Sequence, residues 1–320
     1  MKKLCLILLV LTLARPAFGQ QLPLYSQYLF NKFLINPAVA GSDGYTSLNL
    51  TAREQWVGYS GAPRTFSFSA QTRLLKRSFS LNKSKLRPGT SGRVGLGGYI
   101  FSDKNGLVQR TGFQASYAYH LWLQNSTQFS LGIALTGYHY KISETELNFE
   151  DPNEPWMNNN LRRGMFVPDA TFGAYLLNAK YCFGFSADQL FQASARIANN
   201  AYRDFKMNRH YYLFGSYDFE PEVNTVIQPS FMIQMSEQFR PQADIGVTYI
   251  YNQDFWGGLA YRTSGAIITT IGVKYEKLFI GYAFDFTLQE IQRITYGTHE
   301  ISLAMKFGDT RRRFRWLDRY

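Results

Sequence analysis

Hydrophobic and polar residues alternate one for one along most of this chain. In the stretch 297–307, GTHEISLAMKF, Ile301, Leu303, Met305 and Phe307 share one parity, while Glu300, Ser302, Ala304 and Lys306 share the other. Successive side chains of a strand point to opposite faces, so this stretch predicts a β-strand with one oily face and one ion-bearing face. The pattern at 128–138 is cleaner still: Phe129, Leu131, Ile133 and Leu135 alternate with Gln128, Ser130, Gly132, Ala134 and Thr136. The same rhythm predicts strands at 45–56, 65–74, 93–101, 111–121, 169–177, 181–187, 210–219, 225–235, 242–251, 255–262, 266–275 and 278–287.

These make about fourteen strands, the even number that single-chain bacterial barrels have, each about as long as a tilted membrane-crossing strand requires. The fold class expected is therefore all-β: a transmembrane antiparallel β-barrel of about 14 strands, of outer-membrane type, over residues 45–307. Connection lengths give an independent check, because outer-membrane barrels have short periplasmic turns and longer outer loops. With the first strand rising from the periplasm, the longest connections, 143–167 and 188–209, fall outside. The short ones, 124–127, 178–180, 252–254 and 276–277, fall inside. One connection breaks the rule: 76–92 is long and basic, and is predicted inside. Pro229 falls on the lipid-facing parity of its strand and lacks the N–H a ladder needs, which predicts a bulge or strand end there.

The two ends of the chain add an address. Residues 1–19 carry Lys2 and Lys3, an apolar core from Leu4 to Leu13 and a small-residue close at Ala17-Phe18-Gly19, which predicts a cleaved signal peptide. Cys5 lies within the apolar core, which disfavours a lipoprotein signal. Once the leader is removed only Cys182 remains, so no intramolecular disulfide is expected. Residues 20–44 lack alternation and contain Asn36-Pro37 and Gly41, read as turns in an N-terminal segment that is periplasmic or tucked into the lumen. Residues 308–320 form a basic periplasmic tail.

Composition points the same way. Aromatics make up 17% of the chain, while charged residues are 18%, below the roughly 25% of soluble domains. Tyrosine and tryptophan tolerate a position with an oily body and a wet tip at a membrane interface. The net charge is +11, but Lys2, Lys3 and Arg15 belong to the leader, and the segment 311–320 holds five Arg and one Asp. Half of the remaining excess is thus one short tail rather than a basic face, which speaks against a nucleic-acid partner.

Several stretches taken together carry a resemblance: SQYLFNKFLINPAVAG at 26–41, REQWVGYSGAPRT at 53–65, GGLAYR at 257–262, GYAFDF at 281–286 and GTHEI at 297–301. In combination they resemble the PorP/SprF family of outer-membrane proteins of the type IX secretion system. The resemblance implies a non-enzymatic barrel without cofactors. It further implies a role in the secretion of cargo proteins, in gliding motility in some relatives, and in holding cargo C-terminal domains at the cell surface. Its implied partners are outer-membrane lipid, cargo C-terminal domains, and periplasmic and outer-membrane secretion components. A general porin or small-solute channel is the alternative, since a fourteen-strand lumen is wide.

Candidate partner-binding residues come from the loops and the tail. The loop at 143–167 carries Glu144, Glu146, Glu150, Asp151 and Glu154, followed by Trp156, Arg162 and Arg163; Trp and Arg are favoured at binding hot spots. Its carboxylates lack the ligand order of a calcium loop. The loop at 188–209 is opposite in sign, with Arg196, Tyr202 and Arg203, and is a candidate lid or cargo contact. Arg311, Arg312 and Arg313 in the tail could dock a periplasmic partner. His299-Glu300 is tempting as acid–base chemistry, but adjacent strand residues face opposite ways; Glu300 is expected to pair with a lumenal cation such as Lys274 or Arg262. No catalytic residue, metal ligand or cofactor-binding residue is assigned.

Overall fold

The structure is a computed structural model. It describes residues 25–74, 93–123, 127–142, 165–192, 194–195, 205–237 and 241–308. The strands are β1 (Thr46–Glu54), β2 (Arg64–Leu74), β3 (Val94–Asn105), β4 (Val108–Trp122), β5 (Gln128–Ile142), β6 (Met165–Leu177) and β7 (Tyr181–Asp188). They continue with β8 (Ser194–Ala195), β9 (Phe205–Lys206), β10 (His210–Tyr217), β11 (Phe219–Glu222) and β12 (Thr225–Ser236). The last five are β13 (Gln242–Tyr251), β14 (Phe255–Arg262), β15 (Ala266–Tyr275), β16 (Leu278–Thr287) and β17 (Thr298–Phe307).

Neighbours in sequence pair antiparallel from β1 to β7, β7 pairs with β10, β10 with β12, and the meander runs on to β17. The ring closes where β1 pairs with β17, Thr46 opposite Phe307 and Glu54 opposite His299. Leaving aside the short β8–β9 hairpin and β11, the result is a closed barrel of fourteen strands, one for each alternating segment of the sequence. Closure satisfies the backbone groups between strands, which is the condition for crossing a bilayer without helices.

The two parities separate as the pattern requires. Ile133, Leu135, Ile245, Leu259 and Ile271 are each about 60% exposed or more on the outer face. A soluble protein rarely shows so continuous an apolar surface, whereas lipid is its natural solvent. Tyr251, Phe255 and Tyr275 ring one end of this belt and Tyr59, Phe66 and Tyr296 the other, as interfacial aromatics do. On the inner face, Ser47, Asn49, Thr51, Gln71, Ser130, Thr136, Gln234 and Ser302 are buried. The turns 178–180, 252–254 and 276–277 share one end of the barrel with the start of β1 and the end of β17. The connections containing 143–164 and 189–209 leave from the other. The anomalous basic connection, 76–92, lies outside the described residues.

Pro229 sits within an unbroken register between β12 and β13, opposite Val247. The pairing of β12 with β10 stops at Ser230 and β11 takes over at Ile227. The expected bulge or break is therefore in the neighbour: Pro229 occupies the gap between two partner strands, where no N–H is called for.

Residues 25–45 occupy the lumen. From Ser26 the segment crosses the interior, makes 3-10 turns at Lys32–Leu34 and Pro37–Val39, and leaves beside the short turns to begin β1. Phe33, Ala38 and Ala40 on this segment are completely buried and pack with Ala118, Tyr175 and Phe214 from the wall, so the core of this protein is the inside of the barrel.

Candidate functional site

The lumen is where chemistry concentrates, and its most charged part lies near the long-loop end of β1, β13, β14, β16 and β17. Arg53 donates from Nη1 to Glu300 at 2.9 Å and from Nη2 to Asp285 at 2.8 Å. Arg262 donates through Nε and Nη2 to Asp244 and through Nη1 to Asp285 at 3.1 Å. None of these side chains is more than about 5% exposed. Two guanidinium and three carboxylate groups leave one negative charge, and the N-terminal segment answers it. The amides of Ser26 and Gln27 donate to the two oxygens of Glu300 at 2.8 and 2.9 Å, and the Ser26 hydroxyl donates to Asp285 at 2.6 Å. Charges buried this deeply persist only when paired and hydrogen-bonded, so the cluster is a clamp that needs residues 26 and 27 in place.

Glu300 thus pairs with Arg53 rather than directly with Lys274 or Arg262; Arg262 reaches the cluster through Asp285. The reason is ring closure, which sets Arg53 directly opposite Glu300 in the β1–β17 ladder. His299 faces outward, its Nδ1 2.8 Å from the Tyr282 hydroxyl. It shares no site with Glu300.

Further along, the segment lies against bare backbone. A Cβ placed on Gly95, Gly132, Gly173 or Gly281 would collide with Ala40, Ala38, Asn36 or Gln27 respectively, and one on Gly97 would come within 2.6 Å of the Phe33 ring. Glycine within a strand weakens it and commonly marks close approach of another chain segment. Here five of them on the inner faces of β3, β5, β6 and β16 form the seat. Polar groups fix the register: the Asn36 side chain donates to the carbonyls of Ala174 and Phe185 at 3.0 and 3.1 Å and accepts from the Ala38 amide. His120 Nε2 donates to the Ala40 carbonyl at 3.0 Å, leaving Nδ1 to accept from the Ser130 hydroxyl at 2.7 Å. Burial pushes the Tyr25 and Tyr28 phenols above the ordinary tyrosine range, so both serve as neutral hydrogen-bonding groups.

The root of the second long connection covers part of the long-loop end. Met207 is almost fully buried against Phe101, Tyr138 and Val167. Its sulfur accepts from Gln189 at 3.3 Å and from the Tyr140 hydroxyl at 3.5 Å. Beneath it Arg110 stands over the Phe101 and Tyr138 rings and 3.6 Å from Asp103. The candidate residues Trp156, Arg162, Arg163, Arg196, Tyr202, Arg203, Arg311, Arg312 and Arg313 all lie outside the described residues, as do the acidic residues of the first loop. The strand ends from which both loops spring, β5–β6 and β7–β10, are adjacent in the wall.

The residues that the sequence did not flag are Ser26, Asn36, Arg53, Asp244 and Asp285. For Arg53, Asp244 and Asp285 the signal was available, since ionisable groups on the inward parity of membrane strands are costly and imply partners; Ser26 and Asn36 precede the strands and carry no such mark.

A family model described as type IX secretion system membrane protein PorP/SprF matches residues 17–305. A search among curated proteins returned no match. Among solved structures, the Pseudomonas putida toluene transporter TodX is 10% identical at a TM-score of 0.47, covering 86% of this chain and 92% of that one. The Ralstonia pickettii toluene transporter TbuX is 11% identical at 0.45, covering 86% and 92%. BamA from Haemophilus ducreyi lacking POTRA domains 1–3 is 8% identical at 0.43, covering 82% and 70%.

Proposed function

The chain belongs to the PorP/SprF family of type IX secretion system membrane proteins, and from that premise we propose that it is a non-enzymatic outer-membrane barrel serving the secretion and surface attachment of cargo proteins of adhesin or gliding type. The leader 1–19 is removed on export. The short-turn end and the tail 308–320 face the periplasm, and the loops 143–164 and 196–204 face outward. Cargo C-terminal domains meet the outer loops through Trp156, Arg162, Arg163, Arg196, Tyr202 and Arg203, and Arg311, Arg312 and Arg313 meet periplasmic secretion components.

The observation that carries this reading is the lumen occupied by the chain's own N-terminal segment. A barrel whose interior holds its own N-terminal segment, clamped at Glu300 and seated on glycines, is poorly suited to bulk passage of solutes and well suited to being a rigid platform for partners. This favours a secretion component over a general porin.

Affinity purification from envelope membranes with mass spectrometry tests it, on the full chain, a chain lacking 143–164 and a chain lacking 309–320. The expected result is cargo lost with the loop and periplasmic components lost with the tail. Identical partner sets from all three would overturn the proposal.

A further inference from the structure

The inward glycines of β3, β5 and β6 lie against the N-terminal segment, but those of β13 and β14 do not. Ladder partners there set three inward rungs side by side: Gly246, Ala260 and Ile268; Thr248, Gly258 and Thr270; Ile250, Trp256 and Gly272. The atoms nearest to a Cβ built on Gly246 or Gly258 belong to the neighbouring strands. Glycine inside a strand marks close approach by another backbone or by a ligand, and on these two rungs it is not the segment that approaches.

Over the rungs lies a cavity of about 120 Å³. Phe30 bounds it from the segment side, its ring centroid 6.0 Å from that of Trp256, and the Trp256 indole takes the place a Cβ on Gly272 would need. Leu29, Ile250 and Ile268 complete an apolar wall. A cavity of ~150 Å³ lined by apolar side chains admits benzene, so this one suits a single ring.

Polar groups on its border are mostly bonded within the protein. Gln228 donates to Asp218 at 2.7 Å, Tyr28 to Ser230 at 3.4 Å and Gln27 to the Glu300 carbonyl at 3.2 Å, while Lys306 stands 3.7 Å from Asp43. Thr248 and Thr270 differ. Their hydroxyls lie over Gly258, 2.9 and 2.6 Å from where its Cβ would stand, and neither bonds to another described residue. A threonine hydroxyl both donates and accepts, so the pair suits one uncharged oxygen placed between them.

We infer that this cavity binds a small neutral compound made of one apolar ring and one hydroxyl group. The ring sits among Trp256, Phe30 and Ile268, and the hydroxyl bonds to Thr248 and Thr270. Gly258 leaves room for that oxygen, because a side chain there would push both threonine hydroxyls aside. The inference is independent of the secretion role, since it rests on the lumen wall and not on the loops.

The test uses the full-length barrel in lipid nanodiscs, titrated with 4-bromobenzyl alcohol while tryptophan emission is followed, and with 4-bromotoluene, which lacks only the hydroxyl. Bromine quenches an indole it touches, so a saturable component of quenching is expected that is absent in Trp256→Phe. Thr248→Val combined with Thr270→Val should weaken the alcohol about tenfold and leave 4-bromotoluene within about twofold. Ala260→Leu, which fills the cavity, should abolish the saturable component for both compounds while the barrel keeps its folded migration on unheated gels. Should Ala260→Leu not fold, the threonine comparison decides alone. Quenching that rises without saturation, a saturable component that persists in Trp256→Phe, or an equal effect of the threonine variants on both compounds would overturn the assignment.

Discussion

Arg53 on the first strand and Glu300 on the last face each other across the seam that closes the barrel, their guanidinium and carboxylate 2.9 Å apart. The same carboxylate holds the amides of Ser26 and Gln27. One pair therefore joins the closing of the ring to the anchoring of the segment inside it.

Breaking this pair from one side leaves Glu300 and Asp285 buried with too little positive charge. Arg53→Ala should destabilise the folded barrel by about 3 to 5 kcal/mol, read from urea unfolding in phospholipid vesicles. Adding Glu300→Gln to Arg53→Ala should recover part of the loss, because the surplus charge is gone. Additive losses would show that the two residues do not act together.

The glycine seat can be tested without touching a charge. Gly132→Val and Gly173→Val put side chains where Ala38 and Asn36 lie, with an overpacking cost of about 1 to 3 kcal/mol. Displacing the segment opens the lumen, so planar-bilayer recordings should change from a closed baseline in the native protein to frequent open currents in the variants. Unchanged baselines would argue that the seat is not what holds the segment.

Asn36 contributes through hydrogen bonds alone. Asn36→Ala leaves the carbonyls of Ala174 and Phe185 short of a donor inside the lumen, a loss of about 1 to 3 kcal/mol. Hydrogen exchange should quicken across residues 31–41 while the strand amides of β12–β15 keep their protection.

The outer belt makes a separate prediction. Ile133 is 61% exposed at the middle of β5, and Ile133→Arg should cost about 2 to 4 kcal/mol in vesicles. Ile133→Leu should be near neutral. An equally mild effect of both would mean that this face does not meet hydrocarbon.

The strands were legible because alternation is local: each sequence segment, from 45–56 to 297–307, carries its own parity, and the barrel has one strand for each. The lumenal segment was only half legible. Asn36-Pro37 reads locally as a turn, and it does make one, but what matters is that Asn36 reaches Phe185 across the lumen, and no periodicity encodes that contact. The trace it leaves is indirect, in glycines such as Gly132 and Gly173 on inward positions where strand propensity would favour something larger. The partner of Glu300 was missed for a related reason: which strand lies beside the last one is fixed by ring closure, and only then does Arg53 become its neighbour. The loop and tail candidates rest on residue type alone, since a partner's surface leaves no internal contact to read.

The chain's own N-terminal segment lies inside a closed barrel, and a cross-link tests this most directly. Asn31 donates to the Ser69 hydroxyl at 3.1 Å, and Cys182 is the one cysteine among the described residues. In a Cys182→Ser background, Asn31→Cys and Ser69→Cys should be joined within one chain by a short bis-maleimide applied to purified barrels in lipid, with the linked peptides identified by mass spectrometry. Absence of that link, together with free reaction of the thiol at position 31 with a bulky membrane-impermeant reagent, would contradict it.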